Sequence, residues 1–259
     1  MRKKLGLALG SGGSRGVAHI GFLKALEENG VKPDLIAGTS MGSVVGAAYA
    51  SGLSPDDMHE AVGSLRLLDL LEWTRGPNGF FGLKKIRKQI VKHVGERTFD
   101  ELKIPFGCVA VDLCAQEKVV FLEGNVADAV VASSAIPTIF KPFEKDGKKY
   151  VDGGVFERVP VRLVKDMGAD IVVAVDVLGQ RPCGVKKKGV VGALFETVDL
   201  MDNYRTRKCR QEHAEIIDLW IEPDLGDASQ YSLKSVETIF TKGYRAGKEY
   251  AEKIEKLLQ

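Results

Sequence analysis

Residues Asp34–Ala50 read DLIAGTSMGSVVGAAYA, a short apolar run that breaks into a helical repeat with one serine at the bend. Leu35, Ile36 and Ala37 form the strand and Gly38 and Gly42 flank the break. Met41, Val44, Val45, Ala48 and Tyr49 then recur at the i, i+3, i+4, i+7 and i+8 positions of a helix. The pattern is Gly-X-Ser-X-Gly between a strand and a helix. A bend this sharp crowds its neighbours, so the flanking positions must lack bulk, and the hydroxyl of Ser40 is left above the strand end at a helix N-terminus. Ser40 is therefore a candidate nucleophile.

With 29 glycines in 259 residues, chance supplies roughly 0.15 such motifs, so context has to decide. Upstream, Gly12-Gly13-Ser14-Arg15-Gly16 fits the same pattern, between the apolar run Leu5–Leu9 and a helical stretch. Four residues, Gly10 to Gly13, separate Leu9 from Ser14, too many for one tight elbow. The upstream match reads as a loop and Ser40 as the elbow.

A chain of 259 residues with 44% hydrophobic content has ample material for a buried core, and one domain spanning 1–259 is expected. Its 37 Lys and Arg nearly cancel 35 Asp and Glu, which excludes a global field suited to nucleic acid. Cys108, Cys114, Cys183 and Cys209 show neither CxxC nor zinc spacing, so a reducing, cytoplasmic compartment is expected, with no metal and no cofactor. The start MRKKLGLALG mimics a secretory signal, but Leu5–Leu9 falls short of the about 7–15 apolar residues one needs. No run of ~20 apolar residues is present, so any membrane contact is peripheral.

Taken in order, Leu5–Leu9 reads as a buried strand, Gly10–Gly16 as a loop and Val17–Glu28 as a helix closed by Asn29-Gly30. The elbow follows. This order implies right-handed crossovers and a sheet with helices on its faces, reactive loops gathering at the carboxyl ends of the strands. Pro55–Gly95 is helical in pattern with a break at Gly76–Gly79. Trp73, Phe80 and Phe81 stand around that break, as a lid or a mere connection. Ile104–Leu113 and Lys118–Leu122 suggest paired strands, Val126–Ala135 a helix and Lys148–Val151 a short strand stopped by Asp152-Gly153-Gly154. Val159–Met167 reads as a helix, Asp170–Val177 as a buried parallel strand and RPCGVKKKG as a loop. Ala193–Glu215 and Leu233–Leu258 read as helices around a strand at Ile216–Ile221. A motif-bearing core of about 5–177 is thus followed by structural cover over 180–259.

A serine is a poor nucleophile at its free pKa, so Ser40 needs a base and a cradle for the oxyanion. Gly10, Gly12 and Gly13 leave backbone N–H groups unobstructed beside a helix N-terminus, which suits an anion. A dinucleotide fingerprint would need glycine where Arg15 stands, and a Walker loop its Gly-Lys-Ser/Thr. As base, His213 is the one histidine in the right chain order for a Ser-Asp-His triad, but it sits in a charged helical stretch. His19, His59 and His93 lie in helical patterns. Asp152 is the better candidate: it ends a strand, and two glycines after it permit close approach. An Asp-Gly turn with no chemistry is the plain alternative. A free aspartate near pKa ~4 is a weak base, so an Asp partner requires desolvation.

Together, Gly10-Ser11-Gly12-Gly13-Ser14-Arg15-Gly16, Gly38-Thr39-Ser40-Met41-Gly42 and Asp152-Gly153-Gly154 resemble, in order and spacing, the three motifs of the patatin-like phospholipases. ASSAIP at Ala132–Pro137 and VDGGVFERVP at Val151–Pro160 are similar to that family as well. The resemblance covers Leu5 to Val177, with Ser11 standing where the family commonly has glycine. It implies an α/β fold, a three-layer α/β/α sandwich with a mostly parallel central sheet. It also implies a lipid acyl hydrolase with a Ser40–Asp152 dyad, an oxyanion hole at Gly12 and Gly13, and no catalytic histidine. Arg15 matches the basic position of the family loop, to support it, to meet a phosphate, or merely to be solvated. The substrate implied is a phospholipid or other acyl ester. Lys84, Lys85, Arg87, Lys88 and Lys92, near Trp73, Phe80 and Phe81, and a second run at Lys186–Lys188, fit an anionic lipid surface. A solvated charged face fits them too. The alternatives to a Ser-Asp enzyme are a Ser-His-Asp esterase using His213 and a non-catalytic phosphate or nucleotide module using Gly10–Gly16.

Overall fold

The computed structural model describes residues 2–65, 67–70, 72–73, 81–179, 189–228, 230 and 235–259. The chain opens with strand β1 (Leu5–Leu9), helix α1 (Val17–Glu28), strand β2 (Leu35–Thr39) and helix α2 (Met41–Ser51). The elbow lies between the last two. Helices α3 (Pro55–Ser64) and α4 (Leu67–Leu70) follow, then strands β3 (Glu72–Trp73) and β4 (Phe81–Gly82), and helix α5 (Lys84–Val94). The helical pattern read across 55–95 thus gives way to a hairpin at β3–β4. Its backbone finds partners a helix would forgo: Phe81 N–H donates to the Ile139 carbonyl and Lys141 N–H to the Phe81 carbonyl, at 3.1 and 3.0 Å. Residues 74–80 and 180–188, with Phe80, the glycine break, Cys183 and the 186–188 lysines, lie outside the described residues, as does the side chain of Trp73.

Strands β5 (Phe106–Asp112) and β6 (Glu117–Phe121) pair antiparallel, as their pattern predicts. Helix α6 (Val126–Ser133), strands β7 (Phe143–Lys145) and β8 (Lys148–Asp152), helix α7 (Val161–Asp166) and strand β9 (Ile171–Val175) come next. Helix α8 (Gly189–Glu212), strand β10 (Leu219–Ile221) and helix α9 (Val236–Leu258) close the chain. The central sheet runs β10, β9, β1, β2, β5, all parallel.

One detail of register decides where the chemistry sits. β2 pairs with β5 up to Thr39↔Val109, and β8 takes over antiparallel at Asp152↔Ala110. Because β6 holds the other edge of β5 from Cys108 to Asp112, β2 and β8 must share one edge. Their carboxyl ends therefore meet head to head at Val109 and Ala110.

Alternation along the strands builds the layers. Leu5, Leu7 and Leu9 of β1 and Ile171, Val173 and Val175 of β9 point into the larger core, under α1, α2, α6 and α9. Ala8, Val172 and Ala174 face the thinner one, under α7. The result is helix, sheet, helix. The C-terminal cover is integral to it, since β10 extends the sheet and α9 lies along α1. That last contact is backbone-close: a Cβ on Gly243 would collide with the Ala18 carbonyl and lie 2.6 Å from the Ala18 Cα.

Those are main-chain atoms that cannot rotate aside, so Gly243→Ala should destabilise the protein by about 2 kcal/mol, the overpacking cost outweighing the ~1 kcal/mol helix-propensity gain. Urea unfolding measures it; a more stable variant would mean that α1 and α9 do not touch this closely.

Candidate active site

Ser40 stands where β2 stops and α2 begins, with φ 54° and ψ −124°. A side-chain-bearing residue rarely adopts this conformation, which costs on the order of 1–3 kcal/mol. The flanking glycines exist because three backbones touch here. A Cβ on Gly38 would lie 2.5 Å from the Gly42 carbonyl, and one on Gly42 would collide with the Leu9 carbonyl. Hydrogen bonds hold the strained residue from both sides. Its carbonyl accepts from the Ser43 and Val44 N–H groups at 2.8 and 3.1 Å and from Ser43 Oγ at 2.6 Å. Its N–H donates to Ser133 Oγ, at the end of α6, at 2.9 Å.

Asp152 ends β8 beside it. The Asp152 N–H donates to the Ala135 carbonyl at 2.9 Å, and Oδ1 accepts from the Gly154 N–H at 2.7 Å. The Ser40 side chain lies near enough to the same carboxyl group to favour its charged form. Burial pushes the Asp152 pKa up to about 6; Ser40 and the bond from Gly154 act in the opposite sense, and the negative charge of Asp202 adds to the rise. Backbone contact requires glycine at Gly153, and Gly154 is tight against two side chains. A Cβ on Gly153 would collide with the Val109 carbonyl, and one on Gly154 would sit 3.0 Å from Asp152 Oδ1 and 3.2 Å from Ser11 Oγ.

The glycine-rich loop arches over the end of β1. Gly10 N–H donates to the Val175 carbonyl at 3.0 Å and Ser11 N–H to the Arg158 carbonyl at 2.9 Å. Ser14 N–H reaches the Gln230 carbonyl at 2.9 Å and Arg15 N–H the Gly12 carbonyl at 3.0 Å. The N–H groups of Gly12 and Gly13 have no acceptor among the described residues. Gly13 adopts a positive φ of 52°, and a Cβ on Gly16 would press into Met41, the residue after Ser40. The loop and the elbow are therefore in contact. Arg15 is no solvated residue: it is buried, with Nε donating to the Val177 carbonyl at 2.8 Å and Nη1 to those of Gly226 and Ala228 at 3.3 Å. It ties the loop to the C-terminal half of the chain.

His19, dismissed from the sequence, lies under the same loop. Its Nε2 is 2.8 Å from the Gly10 carbonyl, so that nitrogen carries the proton, and burial pushes its pKa down to about 4. The other histidines stand apart. His59 stacks on Phe240 and meets Glu237, and His213 follows the end of α8, its N–H bonded to the Cys209 carbonyl. None of them contacts Ser40 or Asp152 among the described residues.

Sequence reading missed the buried polar groups packed around the Asp152 loop. Arg158 is buried, its Nη1 3.3 Å from Asp176 Oδ2 and its Nη2 2.7 Å from Asn203 Oδ1 and 3.0 Å from Asp202 Oδ2. Arg205 Nη2 donates to the Gly154 carbonyl at 3.4 Å. Ser133 and Arg158 sat in stretches already singled out, and Asp176 closes the strongest apolar strand. Asp202 and Arg205 carried no signal, being polar residues on a long polar helix.

The basic cluster on α5 is only partly free. Arg87 is bound to Asp128 and Glu96 at 2.7–2.8 Å, and Phe81 packs on Phe140 with centroids 6.4 Å apart. Lys84, Lys88 and Lys92 are exposed.

The geometry can be set beside known proteins. A family model described as patatin-like phospholipase matches residues 7–165. An uncharacterized NTE family protein of Mycobacterium tuberculosis is 38% identical over 178 residues, covering 68% of this chain and 49% of its own length. The human patatin-like phospholipase domain-containing protein 6 is 34% identical over 184 residues, covering 68% of this chain and 13% of its own. The chain thus spans about half the length of the mycobacterial relative and far less of the human one. Among solved structures, VipD from Legionella pneumophila superposes with a TM-score of 0.59 at 13% identity, over 99% of this chain and 67% of that one, a likeness of fold. By the family match and the shared identity, this chain belongs to the patatin-like phospholipase family.

Proposed function

We propose that residues 1–259 form one catalytic unit, a serine lipid acyl hydrolase acting on phospholipids, lysophospholipids or related acyl esters through a Ser40–Asp152 dyad. The observation that carries this reading is the head-to-head meeting of β2 and β8 at Val109 and Ala110, which sets Ser40 beside a buried carboxyl group whose pKa is pushed up to about 6. Family membership supports the lipid ester as substrate. The free thiols of Cys108, Cys114 and Cys209 support a reducing, cytoplasmic setting.

In this mechanism Ser40 Oγ attacks the ester carbonyl carbon as Asp152 takes its proton. The carbonyl oxygen, now anionic, is held by the N–H groups of Gly12 and Gly13. Collapse of the tetrahedral adduct breaks the carbon–oxygen bond of the ester, and Asp152 returns the proton to the departing alcohol. Water then attacks the acyl-serine, Asp152 again taking the proton and passing it to Ser40 as the fatty acid leaves. A carboxyl group titrating near neutrality suits both halves of this cycle. The burial that raises its pKa also makes the carboxylate a stronger base than a free aspartate.

Three tests follow from this reading. Ser40→Ala and Asp152→Ala, assayed separately on a nitrophenyl ester, should each lose roughly 10³–10⁴-fold in kcat, whereas His213→Ala should stay within about twofold of the parent. A fluorophosphonate probe should label Ser40; full activity in either folded dyad variant would remove the dyad.

Asp152 serves as base only when ionised. kcat/KM for a soluble ester should therefore rise about tenfold per pH unit below pH about 6 and level off above it. A flat profile from pH 4.5 to 8 would be incompatible with Asp152 as the base.

The same shift has a cost in stability. Since Asp152 titrates above the ordinary aspartate value of 3.8 when folded, the folded protein holds an extra proton between 3.8 and about 6, and stability falls as pH rises through that window. Asp152→Asn should thus be the more stable protein at pH 8, by on the order of 1–3 kcal/mol, with the gain fading towards pH 4. Melting temperatures at the two pH values measure the difference; equal values at pH 8 would contradict a carboxylate held under strain.

A further inference from the structure

Helix α8 leaves a broad apolar face in solvent. Leu194, Val198, Leu200, Met201 and Tyr204 are each between 51% and 66% exposed. At about 100° per residue these five side chains fall on one arc of about 160°. The acids of the same stretch, Glu196, Asp199 and Asp202, all fall outside that arc. One turn beyond Tyr204 the exposed cations Arg207 and Lys208 close the face. This exposed apolar arc has no protein to cover it among the described residues.

Near and beyond the Val198 edge of that arc α8 is fastened to the Asp152 loop. Asp202 and Asn203 bind Arg158, and Arg205 binds the Gly154 carbonyl, two residues from Asp152. Phe156, 44% exposed, lines a crevice with Asp202 and Arg205 and carries the apolar surface from the helix towards the Asp152 loop. The apolar arc thus adjoins the Asp152 loop through Arg205 and Phe156.

We propose that this face of α8 is the surface by which the protein docks on an anionic lipid bilayer, laying the helix in the headgroup region and bringing the dyad to the interface. The proposal rests on the lipid hydrolase reading and adds to it the element that meets the lipid. Charge selects the occupant. Cations bordering an acid-free apolar arc complement anionic headgroups. Among the described residues no helix is long and apolar enough to cross a membrane, so the contact is interfacial.

The test uses the full chain carrying Ser40→Ala, which leaves vesicles intact, in flotation with vesicles of phosphatidylglycerol and phosphatidylcholine or of phosphatidylcholine alone. The expected result is flotation with the anionic vesicles and at least tenfold weaker partitioning to the zwitterionic ones. Leu200→Glu should lower the anionic partitioning at least tenfold, and Leu200→Lys should retain most of it. Both exposed substitutions, in the Ser40 background restored to serine, should hydrolyse a soluble nitrophenyl ester at the parental rate. Failure of the parent to float, or Leu200→Glu floating as well as Leu200→Lys, would overturn the proposal. So would a dimer in sedimentation that Leu200→Glu converts to monomer, which would give the face to a second copy. Inactivity of the parent on every ester, with flotation intact, would instead strike at the hydrolase reading and leave the docking surface standing.

Discussion

The site depends on how one strand edge is divided. β5 offers one side to β6 and the other to two strands in succession, β2 as far as Val109 and β8 from Ala110 onward. β2 arrives parallel and β8 antiparallel, so both run their carboxyl ends into the same junction. Ser40 is the first residue past one end and Asp152 the last of the other. Residues distant in the chain are brought side by side by main-chain hydrogen bonds. Ser133 and Ala135, from the end of α6, seal the junction by bonding the Ser40 N–H and accepting the Asp152 N–H.

What was legible in the sequence is what local sterics dictate. Gly-X-Ser-X-Gly after an apolar run is readable because a tight elbow forbids side chains at Gly38 and Gly42, and backbone contacts in the structure account for both positions. Asp152-Gly153-Gly154 is readable on the same ground. The pairing register was not legible: nothing in KKYVD says that β8 begins its pairing where β2 leaves off. Arg158, Asp202 and Arg205 were hidden for another reason. Their meaning lies in contacts between the segment after β8 and a helix some forty residues later, and polar residues on a helix read as solvated until the partner is known. The hairpin β3–β4 was misread as helix because its partners at Ile139 and Lys141 are equally remote. His19 inverts the case, its helical setting concealing a buried imidazole that supports the Gly10 carbonyl.

Electrostatics explains why so much of the chain beyond Val177 packs near the dyad. Asp152, Asp176 and Asp202 bring three carboxyl groups into one poorly solvated region. Arg158, fixed between two of them, supplies the cation that makes such a cluster tolerable. Asp202 remains raised in pKa because burial outweighs the attraction of Arg158 and Arg205. The negative charge it places near Asp152 works in the direction of basicity. The helix called structural cover from sequence thus contributes to the electrical environment of the dyad, and Arg15 and β10 bind the same C-terminal region to the loop and the sheet.

The register also bears on why the proposed Ser40–Asp152 pair would need no histidine between acid and serine. Thr39 and Asp152 are the partners of consecutive residues on β5, about 3.3 Å apart along the strand. An imidazole interposed between Ser40 and Asp152 would need several ångströms more, and sliding β8 by one residue to make room would turn Asp152 to the opposite face of the sheet. The sheet admits a direct contact or none. Burial is what raises the Asp152 pKa, and the head-to-head junction provides it: strand ends on two sides, α6 at the gap and two glycines after Asp152 that let the backbone close around it. Strand register thus fixes the proximity of the pair, and the proximity in turn determines which kind of base the site can use.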